Sequence, residues 1–188
     1  MELLSIFTAF GLSFSAGLNA YIPLFIIGSL AHYTDLVKLS APYDVLADPW
    51  ALVILGVLII VEFLADKVPA INHVNDLIQT IFRPVAGAIA FAATAGVITN
   101  IHPVLALACG LLVAGGVHTV KSAVVRPAVT ATTGGVGNTP VSVLEDVTAT
   151  VVSFLSILIP ILIAFVFILF IVLIFMWRRQ RSRTHTPA

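Results

Sequence analysis

The sequence predicts an all-α, polytopic helical membrane protein, and its composition, long apolar runs and interrupted segments lead to this class. Of the 188 residues, 60% are hydrophobic and only 10% are charged, and the mean hydropathy is +1.12. A water-soluble domain carries far more charge than this. Apolar runs near the roughly 20 residues that span a bilayer recur along the chain. We therefore expect about five or six membrane segments, at least one of them broken or re-entrant.

Charge balance and motifs exclude several functional classes. Nine Lys and Arg match nine Asp and Glu, which leaves no basic stripe for nucleic acid. The single cysteine, Cys109, excludes an intramolecular disulfide and a cysteine-based zinc site. The sequence has no nucleophile elbow, no phosphate-binding loop with Lys, no paired zinc ligands and no haem motif. We therefore predict no enzymatic activity, no metal and no cofactor.

The first apolar segment, residues 3–30, carries Gly17, Asn19 and Pro23 near its middle. These residues interrupt helices, so we predict a membrane helix that is broken there. Glu2 is the only charge before the segment, whereas a signal peptide begins with basic residues. We therefore predict a retained first membrane helix.

The middle of the chain alternates polar and apolar segments. Residues 32–48 are polar and proline-containing, which predicts a loop, and an interfacial tryptophan begins a second span, 50–64. Residues 67–83 place apolar side chains at helical spacing, which predicts an amphipathic helix. Short apolar helices rich in small residues are predicted at 84–99 and 103–120, and we expect these two to form a hairpin.

The last third begins with an interrupted segment. Gly, Pro and Thr recur through residues 121–146, so we predict irregular backbone, either a loop outside the membrane or a broken segment inside it. The last span is predicted at 150–177, with a kink at Pro160. Four arginines follow it, which places the carboxyl terminus in the cytoplasm by the positive-inside rule. They are Arg178, Arg179, Arg181 and Arg183.

These segments predict a single transmembrane domain, 1–177, followed by a basic cytoplasmic tail, 178–188. With five spans, four basic residues would lie on the outer side, against the positive-inside bias. A sixth crossing, by 121–146 or by 67–83, would place both termini inside. The four residues are Lys67, Arg83, Lys121 and Arg126.

A weak internal similarity predicts an inverted repeat. The dipeptide Arg-Pro occurs at residues 83–84 and 126–127, each time before small residues. The segment 15–23, which contains Asn19 and a proline, has a shorter counterpart in 133–140. Interrupted segments in both halves are typical of transporters built from two repeats around a central site. Composition bias is the alternative explanation.

The two Arg-Pro dipeptides are the candidate anion site. Proline favours the first position of a helix, so Arg83 and Arg126 are predicted at helix amino termini, where backbone N–H groups and a guanidinium would hold an oxyanion. The alternative is that each arginine pairs with an acid or caps a carbonyl. The full candidate set for a substrate or anion is Arg83, Arg126, Lys121, His118, Asn19 and Asn138.

The acidic residues inside apolar segments are candidate coupling groups, because ionisable groups at membrane depth are costly. Glu62 and Asp66 lie four residues apart on one helix face, so one of them could carry a proton. Asp66, His73 and Asp76 form a second group that is a weak candidate for a metal site, and the alternative for this group is a hydrogen-bonded cluster at the helix end. The candidate carboxylates are Glu62, Asp66, Asp76, Glu145 and Asp146.

Several stretches taken together resemble a known family, and they cover nearly the whole chain. They are residues 15–23, 62–69, 83–88, 118–121 and 145–147, together with Asp76, Arg126 and Asn138. In combination they resemble an uncharacterised bacterial membrane family, the domain-of-unknown-function family forty-one twenty-six. Segment 129–137 departs from the expected pattern. The resemblance implies residence in the bacterial inner membrane and no established activity.

Three functional hypotheses stay open. The first is a small inner-membrane transporter or channel for an anionic solute or lipid phosphate, with proton or ion coupling. The second is a cation channel or transporter lined by the acids, with the arginines as structural partners. The third is a non-catalytic membrane scaffold or assembly factor. We expect a homo-oligomer that contacts membrane lipids and binds a small anionic solute or ion.

Overall fold

The computed structural model describes residues 2–66, 69–95, 101–160, 165–166, 168–174 and 176, and within them the chain is helical without strands. A 3₁₀ turn, Tyr43–Ala47, lies between the second and third helices, and a π-helical turn, Lys121–Val125, joins the fifth helix to the sixth. The predicted all-α class is therefore confirmed. The helices are α1 Glu2–Leu18, α2 Tyr21–Tyr33, α3 Pro49–Ala65, α4 Pro69–Ala95, α5 Pro103–Val120, α6 Arg126–Thr133 and α7 Asn138–Leu158.

Apolar helices make this chain a membrane protein. In the described residues, three helical stretches are long and apolar enough to cross a bilayer, and three shorter ones are also apolar. Their outward side chains are large and hydrophobic, such as Val57 on α3 and Leu112 on α5. The long stretches are Leu77–Ala95, Pro103–Thr133 and Asn138–Leu158, and the shorter ones are Leu4–Leu18, Tyr21–Tyr33 and Pro49–Ala65.

The break predicted in the first apolar segment lies between α1 and α2, at Asn19 and Ala20. The Asn19 side chain explains why the chain restarts as a helix there. Its Oδ1 accepts hydrogen bonds from the backbone N–H groups of Tyr21 and Ile22, each at 3.1 Å. These N–H groups begin α2 and need an acceptor. Pro23 lies inside the first turn of α2, where its missing N–H costs little.

Helix α1 packs against α4 in the middle of the bundle. The Ser13 hydroxyl donates to the Gly87 carbonyl oxygen across 2.9 Å, and the rings of Phe10 and Phe91 meet edge to face with centroids 5.1 Å apart. Residue numbers rise along α1 while they fall along α4, so the two helices are antiparallel.

Hydroxyl groups join α1 to α7 on its other side. The Thr8 hydroxyl donates to the Ser156 carbonyl oxygen at 2.8 Å, and the Ser15 hydroxyl donates to the Ala149 carbonyl oxygen at 2.8 Å. The hydroxyl oxygens of Ser15 and Ser153 are 2.7 Å apart. Lipid supplies no hydrophobic drive between helices, so such bonds and close packing hold them together. This hydroxyl seam also shows that α1 and α7 are antiparallel.

The predicted packing of the two small-residue helices is confirmed as the contact of α4 with α5. Gly110 faces Gly87 so closely that a Cβ at position 110 would overlap the Gly87 carbonyl oxygen and lie 2.7 Å from the Phe91 Cβ. The absence of a side chain at Gly110 is therefore what lets the helices approach. The connecting residues 96–100 lie outside the described part of the chain.

The prediction of two separate helices at 67–83 and 84–99 is wrong. The chain forms one helix, α4, with Pro84 in its interior. A proline inside a helix leaves one carbonyl without its backbone donor and needs space for its ring. The α5 helix packs beside this ring, and a Cβ at Gly115 would meet the Pro84 Cγ at an ordinary contact distance of 3.6 Å. Neighbouring helices tolerate prolines in membrane helices in this way.

The bounds predicted for the last third are also corrected. Segment 121–146 is mostly helical, and its non-helical part is the turn 134–137, where Gly134 and Gly135 take φ values of 63° and 92°. Thr132 and Thr133 lie in helix α6, where their hydroxyls are satisfied by donating to carbonyl oxygens of the preceding turn. Helix α7 therefore begins twelve residues before the predicted start at 150, and it ends at Leu158, just before Pro160.

Gly110→Ala should destabilise the bundle because the new methyl group overlaps the backbone of α4. We expect the free energy of unfolding, measured by SDS titration in mixed micelles, to fall by about 1–3 kcal/mol. Gly116→Ala on the same helix is the matched control, since a Cβ there meets nothing within 4 Å. Equal effects of the two substitutions would contradict the close contact of α4 with α5.

Candidate functional site

Buried charged side chains from α3, α4, α5, α6 and α7 meet inside the bundle, at the depth of the Asn19 break. We call them the charged cluster. Arg83 is fully buried, and the Glu62 side chain is 1% exposed. Arginine and glutamate are almost never this buried unless they are paired. The charged cluster consists of Glu62, Asp66, Arg83, His118, Lys121, Arg126, Glu145 and Asp146.

The first part of the cluster centres on Arg83. Its Nη2 donates to the Glu62 Oε1 at 2.8 Å, and its Nη1 lies 3.1 Å from the His118 Nδ1. A guanidinium only donates hydrogen bonds, so Nδ1 must be the accepting nitrogen. The proton of the neutral ring is then on Nε2, which lies 3.1 Å from the Thr80 hydroxyl. His118 therefore contributes no positive charge in this arrangement.

The second part centres on Arg126 and two carboxylates. The Arg126 Nη2 lies 3.0 Å from the Asp66 Oδ2 and 3.3 Å from the Glu145 Oε2. The Lys121 Nζ lies 2.8 Å from the same Glu145 oxygen and donates to the Leu18 carbonyl oxygen at 3.0 Å. One carboxylate thus joins two basic groups, and the lysine ties them to the last turn of α1.

Two uncharged side chains complete the surroundings of Asp66. The Ser142 hydroxyl donates to Oδ2 at 3.0 Å, and the Asn75 Nδ2 donates to Oδ1 at 2.7 Å. Both oxygens of this carboxylate are therefore held by donors from α4, α6 and α7.

The π-helical turn explains how Lys121 and Arg126 reach the same carboxylate. In an α-helix, residues five apart differ in direction by about 140°. The backbone N–H of Arg126 instead donates to the Lys121 carbonyl oxygen, which is the i→i−5 bond of a wider turn. Residues five apart then face nearly the same side. Pro127, which has no N–H, follows directly and disfavours the regular α-helical bonding pattern at this point.

The break between α1 and α2 is tied to the same region. The Asn19 Nδ2 donates to the Asp146 Oδ1 at 3.0 Å, while its Oδ1 accepts from the backbone of α2. The oxygen of the amide group therefore contacts α2 and its nitrogen contacts α7. Through this second contact, Asp146 joins the cluster as its fourth carboxylate.

The cluster contains more carboxylates than basic groups. Its described side chains provide three basic groups, because His118 is neutral, and four carboxylates. Three of these carboxylates, Glu62, Asp66 and Glu145, are buried. The fourth, Asp146, is half-buried, so with every acid ionised the buried groups balance and Asp146 gives the cluster its net negative charge. Such a site favours the uptake of a proton or a small cation.

The structure brings together nine of the eleven predicted site residues. Asn138 lies apart, at the start of α7, where its Nδ2 donates to the Thr130 hydroxyl at 2.8 Å. The Asp76 side chain lies outside the described part of the chain. The nine residues are Asn19, Glu62, Asp66, Arg83, His118, Lys121, Arg126, Glu145 and Asp146. Their roles in binding or coupling stay predictions.

The expected placement at a helix amino terminus is wrong for Arg83, which lies in the interior of α4. Arg126 does begin α6, but the π-helical turn precedes it without a break, and its own N–H donates to the Lys121 carbonyl oxygen. Neither arginine therefore lies at an isolated helix end. Both arginines do occupy the charged cluster, but their local structures differ, so the internal repeat stays a prediction.

Sequence reasoning missed five polar residues beside the cluster: Tyr21, Asn75, Gln79, Thr80 and Ser142. Gln79 is 2% exposed, and Ser142 is fully buried. Spacing gives a signal for two of them, since Gln79 lies one turn before Arg83 and Ser142 lies three residues before Glu145. Tyr21 follows the Asn19 break and lies beside Glu62 and Gln79, which depends on the tertiary fold.

An apolar cavity of about 310 Å³ lies away from the charged cluster. Phe10, Phe14, Val113, Val152 and Phe170 are among its lining residues. It offers no charged group to a solute, so the charged cluster is the candidate site for chemistry.

The fold and the cluster define a multi-pass helical membrane protein with ion pairs buried among its helices. A family model described as a domain of unknown function (DUF4126) matches residues 6–180. The chain belongs to this family, as its resemblance over nearly the whole length predicted. No curated protein and no solved structure matches the chain.

Arg83→Met should strongly destabilise the protein, because it leaves the Glu62 carboxylate buried without its cation. We expect a loss of about 3–5 kcal/mol in the free energy of unfolding in mixed micelles. Adding Glu62→Gln should recover most of that loss, since the second charge is then removed as well. Lys38→Met in the exposed loop is the control. Strictly additive losses in the double variant would show that the two groups do not interact.

Asn19→Asp should also destabilise the fold, because it keeps the acceptor for α2 but turns a carboxylate toward Asp146. A loss of about 1–3 kcal/mol is expected from the missing donor. The double variant Asn19→Asp, Asp146→Asn restores a donor and an acceptor in reverse order and should regain stability. Thermal unfolding in detergent measures both. A double variant no more stable than Asn19→Asp would refute this pairing.

Proposed function

We propose that this protein is a membrane transport protein in which the charged cluster carries protons or a small monovalent cation across the bilayer. The observation that most supports it is the group of ion pairs buried among the helices, in which four carboxylates, one of them half-buried, outnumber three basic groups. Ionisable groups inside membrane segments are costly and mark ion or proton pathways. A proton or cation taken up by the cluster would cancel the excess charge.

The pairing of the arginines favours this hypothesis over transport of an anionic solute. Arg83 donates to Glu62, and Arg126 donates to Asp66 and Glu145. An anion would have to displace these carboxylates, and it would add to the negative charge of the cluster. The arginines act in this proposal as partners that keep the acids ionised until a proton or cation arrives.

Three interrupted helical elements at the cluster support a transport role. The α1–α2 break at Asn19, the π-helical turn Lys121–Val125 and Pro84 inside α4 all lie next to its charged groups. π-Helical turns occur frequently at functional sites, and transporters build their ion sites from discontinuous helices. These elements are places where the bundle can change shape while the rest of each helix stays intact.

We also infer an orientation from the basic carboxyl-terminal end. The four arginines after residue 177 favour the cytoplasmic face of an inner membrane under the positive-inside rule. A homo-oligomer, lipid contacts on the apolar outer surface and the absence of enzymatic activity belong to the same proposal.

Asp66→Asn is the central test, because Asp66 joins Arg126, Ser142 and Asn75 at the cluster. The purified protein is reconstituted into liposomes that contain a dye sensitive to pH, Na⁺, K⁺ or Cl⁻, and the flux of each ion is driven by a potential or a gradient, with Cl⁻ as the test anion. We expect flux in the wild type and a fall to the background of protein-free liposomes in Asp66→Asn. Arg126→Gln should reduce flux less than Asp66→Asn does. Asp35→Asn, in the exposed loop, is the control and should behave as the wild type.

Two outcomes would overturn the proposal. If the reconstituted wild type moves none of these ions, a scaffold or assembly role explains the cluster as a purely structural network. If Arg126→Gln abolishes flux of an anion while Asp66→Asn has no effect, the protein handles an anionic solute.

A further inference from the structure

Three buried polar atoms near Glu62 have no hydrogen-bond partner among the described residues. They are the Glu62 Oε2, the Gln79 Oε1 and the Arg83 Nε. Each belongs to a side chain that is at most 2% exposed. A buried polar atom without a partner is costly, so such atoms in a folded protein usually meet water or another ligand.

The three side chains that carry these atoms lie together in the bundle. The Glu62 carboxylate and the Arg83 guanidinium are joined through their other atoms at 2.8 Å. Gln79 precedes Arg83 by four residues on α4, so the two side chains share one face of that helix. Tyr21, at the start of α2, lies beside both Glu62 and Gln79, and it is only half-buried.

The chemistry of the three atoms matches one kind of ligand. Two of them are acceptors, and the third is an N–H donor. A water molecule has two O–H groups to donate and a lone pair to accept with, and buried waters typically make about three hydrogen bonds. A metal cation could bind the two oxygens, but it would be repelled by the guanidinium and would leave the Nε–H without an acceptor.

We propose that Glu62, Gln79 and Arg83 hold one water molecule, and that this water relays protons between the Tyr21 side of the bundle and the Glu62 carboxylate. The relay rests on the proposed function, whereas the water site does not. A proton from bulk hydronium, arriving past the Tyr21 hydroxyl, bonds to the water oxygen as one of the water's own O–H bonds breaks and an O–H bond forms at the Glu62 Oε2. The carboxylate is neutralised and the water is regenerated in the same step, so no cation rests beside the Arg83 guanidinium.

The charges around Glu62 allow this step. The ionisable groups that face it are Arg83 from α4, Lys121 from the π-helical turn, Asp66 from its own helix and Tyr21 from α2. Protonation of Glu62 removes the negative charge that is paired with the Arg83 guanidinium. The cluster as a whole then loses its excess negative charge, so the protonated state is compatible with the buried basic groups.

Solid-state NMR of the full protein in lipid bilayers tests the water site directly. The arginines are labelled with ¹⁵N, and the Arg83 Nε–H signal is assigned by its absence in Arg83→Lys. We expect a cross-peak between this proton and water in the wild type. Gln79→Met, which keeps the length of the side chain but removes the acceptor, should lose it. Ile78→Met, on the exposed face of α4, is the control and should keep it.

The outcomes separate the two parts of the proposal. A wild-type spectrum in which the assigned Arg83 Nε–H has no cross-peak to water overturns the water site, and this decision needs only Arg83→Lys, which keeps the positive charge, to fold. A cross-peak that persists in folded Gln79→Met overturns the role of Gln79. Gln79→Met that loses the cross-peak but keeps wild-type proton flux overturns the relay. A cross-peak in a wild type that moves no ions confirms the water site while the transport function fails.

Discussion

The pairing of buried charges is the constraint on which the rest of this bundle depends. Charges taken out of water need partners at close range, and removing one partner leaves the other uncompensated. Asp66, Arg126 and Glu145 come from three parts of the chain, so their contact fixes how far α3, α6 and α7 slide past one another. Lys121 extends this constraint to α1 through the Leu18 carbonyl. Apolar contacts with lipid could not set this register, because lipid solvates all apolar faces equally well.

Close approach of the helix backbones is the second requirement of the bundle. It allows the buried charges to reach their partners. The small residues in the turn of α4 that follows Arg83, Ala86 to Ala88, let α5 come near enough for His118 to contact the guanidinium. Gly87 and Gly110 make that approach possible, while the hydroxyl seam joins α1 to α7 without any large side chain. The seam lies directly above the Asn19–Asp146 bond, so packing and charge pairing form one continuous interface.

Local patterns in the sequence were enough to predict the membrane class, the break at Asn19 and nearly all members of the charged cluster. Long apolar runs and isolated ionisable residues are signals that need no tertiary information. The course of the chain through Pro84 could not be predicted locally, since a proline is tolerated inside a membrane helix when neighbouring helices pack around it. The contact of Lys121 and Arg126 with one and the same carboxylate depends on a π-helical turn that no local pattern indicates. Gln79 went unnoticed because a single glutamine in an amphipathic segment is ordinary.

The distances along the chain between paired charges set an order for assembly during synthesis. Glu62 and Arg83 are 21 residues apart, so their bond can close once α3 and α4 have left the ribosome. Asp66 must wait for Arg126, which follows 60 residues later, and Arg126 must wait a further 19 residues for Glu145. A chain that stops before α6 therefore lacks the arginine partner of Asp66, and the ion pairs of the cluster are complete only once α7 has been made.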